Sequence, residues 1–275
     1  MTYSRAMTDQ HVEVAVENGI GWLWLNRPEK LNALSEDMWE DIPAAVAALD
    51  RNPDVRVIVV AGRGPAFTVG IDIGMLASLN ADGPSEAARN QATYLKVKEL
   101  QGTFSCLAES PVPVIAAIHG YCLGGGIDLI TACDIRLASA DAVFSIRETR
   151  MGIVADVGTL QRLPHIISPA HVAELAYTGA DIDAARAAEI GLLNHVYEDA
   201  AAVWAAAGEL AATIAANSPL VVKGIKSVLR AGRDKSVADA LDYAALWNAA
   251  FIRSNDITES MSAFFEKRPP KYTGT

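Results

Sequence analysis

Two apolar, largely β-branched runs constrain the fold of this chain more than any other feature. They read VRVIVVAG at residues 55–62 and PVPVIAAIHG at residues 111–120. A strand that faces water on one side alternates polar and apolar side chains, so a continuous apolar run is typical of a strand buried on both faces. Such strands occur in parallel sheets that helices cover on both sides. The sequence therefore predicts an α/β fold.

Strand and helix patterns alternate through the first half of the chain. HVEVAVE at residues 11–17 is followed by an Asn18-Gly19 turn and an apolar partner, which predicts a hairpin. A helical pattern begins at Ser35, a good N-cap, and ends before Pro53. IDLITACDI, residues 127–135, is also typical of a helix. From Ser168 onwards the spacing predicts mostly helices.

Composition excludes several classes of protein. The formal net charge is −10, which disfavours nucleic acid as a partner because phosphates need a basic face. Three cysteines, without a CxxC pair, predict neither a disulfide framework nor a metal site. The sequence also lacks a run long enough for a membrane span, an N-terminal signal peptide and a C-terminal peroxisomal tripeptide, so we expect a cytoplasmic protein.

Two glycine-containing segments could bind a ligand oxygen through the backbone. AGRGPAFTVGIDI, residues 61–73, could direct the N–H group of Ile71 at a ligand. HGYCLGGGIDLITACDI, residues 119–135, places three glycines where a helix begins, and first-turn N–H groups can donate to an oxyanion. Each segment alone also fits an ordinary strand-to-helix loop or close helix–sheet packing. Together they predict an oxyanion hole built from two loops.

Three carboxylates follow these segments. Asp128 falls in the first turn of the predicted helix, where it could simply offset the helix dipole. Glu148 stands between Arg147 and Arg150, which also fits a surface ion pair. Asp156 lies in the apolar run IVADV, where a charge is rare unless it is paired or used. An N-cap of the following segment is the competing interpretation of Asp156.

The assembled motifs resemble the crotonase, or enoyl-CoA hydratase/isomerase, superfamily. The resemblance spans residues 12–274 and rests on NRPEKLNAL, AFTVGIDI, PVIAAIHGYCLGGGIDLITACDIRLAS, GTLQRLP, SPLVVKGIKSVL and AFFEKRPPKYTG. It implies a spiral of ββα turns at residues 1–200, which carries the active site, and a helical trimerisation region at residues 201–275. It implies an acyl-CoA thioester as substrate and an assembly of trimers or dimers of trimers. The oxyanion hole would consist of the N–H groups of Ile71 and Gly125.

The resemblance also assigns residues to the coenzyme A moiety, which is part of the substrate. No metal or other cofactor is expected, and neither is a membrane partner. The candidate coenzyme A contacts are Arg27, Lys30, Ala66, Thr68, Asp72, Ile73 and, from a neighbouring subunit, Lys267.

Within the superfamily, the trio of acids is similar to that of the isomerases that convert 3,5-dienoyl-CoA into 2,4-dienoyl-CoA. Enoyl-CoA hydratases carry glutamates at the first two positions and generally a glycine at the third. Moving two double bonds requires removing a proton at carbon 2 and adding one at carbon 6, and these carbons lie too far apart for one carboxylate. We assign carbon 2 to Glu148 and carbon 6 to Asp156. Asp128 would be a buried neighbour that raises the pKa of another acid.

Two alternatives stay open at this point. The chain could be an enoyl-CoA hydratase with an atypical Asp128, or a non-catalytic acyl-CoA-binding or RNA-binding member of the fold. Unsaturated fatty-acid β-oxidation is the natural expectation for the pathway. The sequence leaves open the acyl chain length, although residues 80–101 are candidates for the far wall of the pocket.

Overall fold

The computed structural model describes residues 11–78 and 83–275, and the side chains of residues 76–78 are excepted. The prediction that no signal peptide is present concerns the N-terminal residues, of which 1–10 lie outside this range. Residues 80–82 of the predicted pocket wall lie outside it as well.

Strands form two sheets. The strands are β1 (Val12–Glu17), β2 (Ile20–Leu25), β3 (Val57–Gly62), β4 (Val114–Ile118), β5 (Tyr121–Leu123), β6 (Ile135–Ser139), β7 (Val143–Ser145), β8 (Ile182–Asp183) and β9 (His195–Tyr197). The larger sheet has the order β1-β2-β3-β4-β6-β9, and the smaller has the order β5-β7-β8. The β1–β2 hairpin is antiparallel, and the pairs from β2 to β9 are parallel.

Helices alternate with single strands or strand pairs and dominate the last third of the chain. They are α1 (Glu36–Arg51), α2 (Ile73–Ser78), α3 (Glu86–Glu109), α4 (Gly125–Ala132), α5 (Thr159–Arg162), α6 (Pro169–Thr178), α7 (Ala184–Glu189), α8 (Ala200–Ala215), α9 (Pro219–Gly232), α10 (Val237–Phe251) and α11 (Asn255–Glu266). Among the described residues, no single helix is both long and apolar enough to cross a membrane; only α8 and α9 together, bent by 105°, would meet that measure.

The chain winds as a spiral between the two sheets. β4 lies in the larger sheet, β5 in the smaller, and α4 leads back to β6 of the larger sheet, after which β7 returns to the smaller. Every residue of β3 and β4 is buried, as their apolar runs predict. The predicted α/β fold with a ββα spiral and a helical C-terminal region is therefore confirmed.

The first helix of the C-terminal region, α8, covers one face of the larger sheet. Its buried residues recur every four positions, which places them on one stripe of the helix. They are Val203, Ala207, Ala211 and Ala215. They pack in a common core with Trp22 and Trp24 of β2 and with the apolar side chains of β3 and β4. The division of the chain near residue 200 stays a prediction.

Three short elements differ from the sequence-based expectation. The helix predicted over residues 127–135 ends at Ala132, and Ile135 begins β6. β8 and β9 lie in the region predicted to be helical. β9 has three residues and owes its extended form to pairing with β6, from Leu137–His195 to Ser139–Tyr197. A strand of three residues is too short to show an alternation of polar and apolar side chains, so only its pairing with a neighbouring strand defines it.

Candidate active site

Two backbone amides from separate loops meet in front of α4. Leu34 and Ile71 form a short bridge, in which the Leu34 amide donates to the Gly70 carbonyl at 2.8 Å and the Asp72 amide donates to the Leu34 carbonyl at 3.0 Å. A Cβ atom built on Gly125 would lie 3.8 Å from the Ile71 nitrogen. Within the described part of the chain, neither the Ile71 nor the Gly125 N–H group donates a hydrogen bond to another residue. The two groups predicted to form the oxyanion hole are thus adjacent and available.

Glycine is required where these loops touch. Gly70 has a φ of +86°, and a Cβ there would lie 2.7 Å from the Leu123 carbonyl oxygen and 3.0 Å from the Gly125 nitrogen. Both neighbours are backbone atoms and cannot turn aside as a side chain can. Gly124 has a φ of +52°, a conformation that L side chains rarely adopt. The glycines of the two motifs therefore allow the loops to approach closely enough to place both amides together.

Asp128 is the most deeply buried of the three acids. It lies in the first turn of α4 with no exposed surface. Its Oδ1 atom accepts a hydrogen bond from the Thr159 amide at 2.6 Å, and its Oδ2 atom is buried without a partner among the described residues. Burial raises the pKa of Asp128 to about 6, although Thr159 and the charge of Arg162 act in the opposite direction.

Glu148 approaches the site from the other side. It begins a 3₁₀ helix, Glu148–Met151, and its carboxyl lies against the glycine turn: a Cβ on Gly124 would be 3.4 Å from Oε1. Its Oε2 atom is buried and has no partner within the described chain. Burial, together with the charges of Asp128 and Asp156, raises the pKa of Glu148 to about 7. A proton is therefore readily exchanged at this group near neutral pH.

Asp156 lies on the open side of the same site. The residue is exposed, while Ala155 and Val157 on either side of it are buried. Its carbonyl oxygen accepts a hydrogen bond from the Gln101 amide of α3 at 2.7 Å. Partial burial raises the pKa of the Asp156 carboxyl, and its charge in turn contributes to the raised pKa values of Asp128 and Glu148. The structure thus brings the three predicted acids together, two inside and one at the mouth.

Some of the predicted coenzyme A contacts cluster at the edge of the Ile71 loop. Arg27 forms an ion pair with Asp72, with 2.6 Å between Nη1 and Oδ2, and it also donates to the Ala33 carbonyl at 3.0 Å. The hydrogen bond from Arg27 is the main cause of the lowered pKa of Asp72, and the charge of the exposed Lys30 contributes. Arg27 therefore already has an anionic partner.

The remaining predicted contacts lie in different surroundings. Ile73 is 72% exposed beside this cluster, and Lys267 is exposed at the end of α11. Ala66 and Thr68 are fully buried. The Ala66 carbonyl accepts from the Asn32 side chain at 2.7 Å, and the Thr68 hydroxyl donates to the Asn32 carbonyl at 2.6 Å. Both polar groups are therefore engaged in holding the loop, and their contact with coenzyme A stays a prediction, as does that of the other five.

Three residues that the sequence analysis did not single out support the acids. Gln101 holds the backbone at Asp156, Thr159 donates to Asp128, and Arg162 contributes a positive charge close to Asp128. The motif GTLQRLP contains the last two. The sequence signal that could have identified Arg162 is its charge, six residues after Asp156 in a largely apolar segment.

The chain is similar to known proteins of one family over nearly its whole length. The family described as Enoyl-CoA hydratase/isomerase matches residues 15–275. The chain is 41% identical, over 99% of both sequences, to an Arabidopsis thaliana protein named Delta(3,5)-Delta(2,4)-dienoyl-CoA isomerase, peroxisomal. It is 43% identical to the mitochondrial protein of that name from Mus musculus, over 90% of this chain and 76% of the mouse protein. A crystal structure of an enoyl-CoA hydratase from Bacillus anthracis is 31% identical and superimposes with a TM-score of 0.88, over 97% of this chain and 100% of that one.

These names correct one expectation and establish the family. The prediction of a cytoplasmic protein is wrong, since these relatives are named as peroxisomal and mitochondrial and point to an organelle. That prediction rested on missing address signals, which receptors read and which the physics of the folded domain does not determine. The fold, the paired amides and the matches over nearly the whole length lead to one conclusion: the chain belongs to the enoyl-CoA hydratase/isomerase family.

Proposed function

We propose that this protein is a Δ(3,5)-Δ(2,4)-dienoyl-CoA isomerase, which converts a 3,5-dienoyl-CoA thioester into the 2,4-dienoyl-CoA isomer. One observation carries the proposal. Among the described residues, Asp128 and Glu148 each have a buried carboxylate oxygen without a partner and lie beside two backbone amides that donate to no other residue. A third carboxylate lies at the mouth. The names of the Arabidopsis and mouse relatives support the same reaction.

The oxyanion hole would supply the first part of the chemistry. When the C2–H bond breaks, its electron pair forms a double bond between carbon 1 and carbon 2, and the carbonyl π pair moves onto the thioester oxygen. The product is an enolate that is conjugated with the two double bonds of the acyl chain. The N–H groups of Ile71 and Gly125 would donate to that oxygen and stabilise the negative charge where it develops. The thioester already acidifies carbon 2, so the reaction as proposed requires no metal or redox cofactor. Coenzyme A enters as part of the substrate.

The carboxylates would supply the proton transfers. Glu148, as the carboxylate, takes the proton from carbon 2, and Asp156, as the acid, gives a proton to carbon 6 while the electron pair returns from the oxygen. Two double bonds then lie at positions 2 and 4, and the formula of the substrate is unchanged. Glu148 ends protonated and Asp156 ionised, so exchange with solvent or the reverse reaction restores the starting state. The pKa of Glu148, about 7, suits a group that must accept and release a proton near neutral pH.

Ultraviolet spectroscopy tests the reaction directly. Purified protein is mixed with 3,5-octadienoyl-CoA, and the absorbance of the longer conjugated product is followed. We expect turnover with this substrate that greatly exceeds the hydration of crotonyl-CoA. Rapid hydration without isomerisation would favour an enoyl-CoA hydratase, and tight binding without turnover of either compound would favour a non-catalytic acyl-CoA-binding protein.

Solvent isotope labelling tests the division of roles between the acids. In D₂O the native protein should place deuterium at carbon 2 and carbon 6. Asp156→Asn should abolish labelling at carbon 6, while Glu148 still exchanges the proton at carbon 2. Unchanged labelling at carbon 6 in this variant would contradict the assignment of Asp156.

We also propose that the protein assembles as a homotrimer or a dimer of trimers. No residue of α10 is buried in the single chain, and α9–α11 expose large apolar side chains. Among these are Leu229, Leu241, Leu246, Met261, Phe264 and Phe265. Large apolar side chains exposed in such number favour burial against a partner. A neighbouring copy would also bring its Lys267 towards coenzyme A.

A further inference from the structure

Arg162, at the end of α5, folds back over the loop that connects it to Asp156. Its Nη1 atom donates to the Val157 carbonyl at 3.3 Å, and its Nη2 atom donates to the Ser105 hydroxyl of α3 at 2.8 Å. The guanidinium occupies the space beside Gly158, so a Cβ atom at that position would overlap with it. Gly158 has a φ of +136°. The side chain of Arg162 and the backbone of this turn are thus fitted to each other.

The same turn contacts two of the acids. At one end it carries Asp156, whose carbonyl accepts from Gln101, and at the other the Thr159 amide donates to Asp128. Gln101 and Ser105 are four residues apart on α3 and therefore share one face of that helix. Gln101 donates to the Asp156 carbonyl, and Ser105 accepts from Arg162, which itself donates to the turn. These contacts with one face of α3 fix the turn between the acids.

The positive charge of Arg162 affects the pKa of Asp128 but not that of Glu148. Arg162 lowers the pKa of Asp128 against the effect of burial, whereas the charged neighbours that shift Glu148 are the acids Asp128 and Asp156, which raise its pKa. A cation beside one of two coupled carboxylates favours the negative charge on that one. The titratable groups that face Asp128 or Arg162 are Glu148, Asp156, Cys122, Cys133, Glu109 and Arg233.

We infer that Arg162 is a positioning residue that fixes the turn of residues 156–159 and keeps Asp128 ionised, so that Glu148 is the buried acid whose protonation changes. This inference rests on the proposed function, because it explains how Glu148 rather than Asp128 comes to exchange the proton. Arg162 would act through Asp128 and the turn without touching the substrate.

Two variants separate the charge of Arg162 from its hydrogen bonds. Arg162→Gln removes the charge, and Arg162→Lys keeps the charge but cannot reach both acceptors. The aspartate side chains are labelled with ¹³C, and Asp128, assigned through Asp128→Asn, is titrated by NMR in the protein without substrate. We expect the midpoint of Asp128 to rise by on the order of one pH unit in Arg162→Gln and to stay unchanged in Arg162→Lys.

Kinetics supply the second measurement. With 3,5-octadienoyl-CoA, the pH profile of kcat/KM should move in Arg162→Gln and stay in place in Arg162→Lys, while kcat in Arg162→Lys falls by roughly tenfold because the turn is less well fixed. Arg186→Gln, an exposed arginine on α7, serves as the matched control and should leave both measurements unchanged. Thermal unfolding of each variant verifies that it is folded.

Two results would overturn the inference. One is an Asp128 midpoint that is the same in Arg162→Gln as in the native protein, and the other is an equal shift in the glutamine and lysine variants. The NMR titration needs no turnover, so failure of this inference is distinct from failure of the proposed reaction, which would appear as an inactive native protein.

Discussion

The buried carboxylate of Glu148 links the chemistry of the site to the stability of the protein. Its pKa in the folded state, about 7, lies above the ordinary value of 4.5, mainly because burial disfavours the charge. The folded state therefore binds this proton more tightly than the unfolded chain does. The contribution of Glu148 to the free energy of unfolding is accordingly greatest below about pH 4.5 and falls as the pH rises towards 7. A group poised for proton exchange destabilises the fold when it is ionised.

Replacing Glu148 by its neutral isostere should therefore stabilise the protein at the cost of activity. We expect Glu148→Gln to be inactive and to raise the free energy of unfolding at pH 8 by about 1–3 kcal/mol. Near pH 4.5 the gain should vanish, since Glu148 is then protonated in the native protein. Urea unfolding at both pH values measures this difference, with the exposed Glu198→Gln as the control. A gain of equal size at both pH values would show that charge burial is not its cause.

The oxyanion hole predicts a second residue-level effect. In Gly70→Ala the added Cβ would meet the backbone of Leu123 and Gly125, so the two amides must move apart. We expect kcat to fall by about 10²–10³, the typical loss when one oxyanion donor is misplaced. Gly102→Ala on α3, where a Cβ has open space, is the matched control and should retain native kcat. Near-native kcat in Gly70→Ala would argue against this hole.

At the scale of single residues, the sequence is sufficient to predict the site residues that belong to a local motif. The glycines around Gly125 and the three acids could be identified because each has a fixed place relative to a strand end or a helix start. Arg162 and Gln101 could not, because their roles depend on which way a side chain turns after distant segments have packed. Lys30 and Arg27 appeared equivalent in the sequence, yet only Arg27 is paired with Asp72.

At the scale of elements, α8 illustrates how closely a helix can approach a sheet. Its buried stripe consists mainly of alanines, and these pack on the core that contains Trp22, Trp24 and the strands β3 and β4. Small side chains permit this contact, which leaves little room for added volume.

Overfilling this contact should therefore destabilise the fold. We expect Ala207→Leu to lower the free energy of unfolding by about 1–3 kcal/mol, because the added methylenes must displace the sheet or the helix. Ala205→Leu, on the exposed side of α8, adds the same volume in water and should change stability by less than about 0.5 kcal/mol. Chemical denaturation of the two variants provides the comparison, and equal losses would contradict the packing argument.

The elements themselves were predictable to different degrees. β3, β4 and α1 follow from their own apolar patterns, as the structure confirms. β8 and β9 do not, because two or three residues hold no period and become strands only beside β7 and β6. An apolar residue directly after α4, such as Ile135, fits both a helix and a strand until its pairing with β4 is known.

At the scale of the whole molecule, the helices α9–α11 leave an apolar surface that one chain does not cover. Leu241 is 64% exposed and Leu246 is 70% exposed, both on α10. We expect the double variant Leu241→Glu, Leu246→Glu to shift the protein from an oligomer towards the monomer, because two charges would be buried at the contact. Sedimentation velocity measures the change. Val14→Glu, an exposed apolar position on β1, is the control, and an unchanged sedimentation coefficient in the double variant would place the contact elsewhere.

The N–H groups of Ile71 and Gly125 belong to the main chain and do not depend on a side chain. This has an evolutionary consequence. Mutation can exchange the acids at positions 128, 148 and 156 one at a time, while the two amides proposed to bind the thioester oxygen are kept in every such exchange. New reactions can therefore evolve on this fold through intermediates that still bind the substrate. For protein engineering, the same separation means that the acids can be replaced to change the reaction while the main-chain amides remain in place.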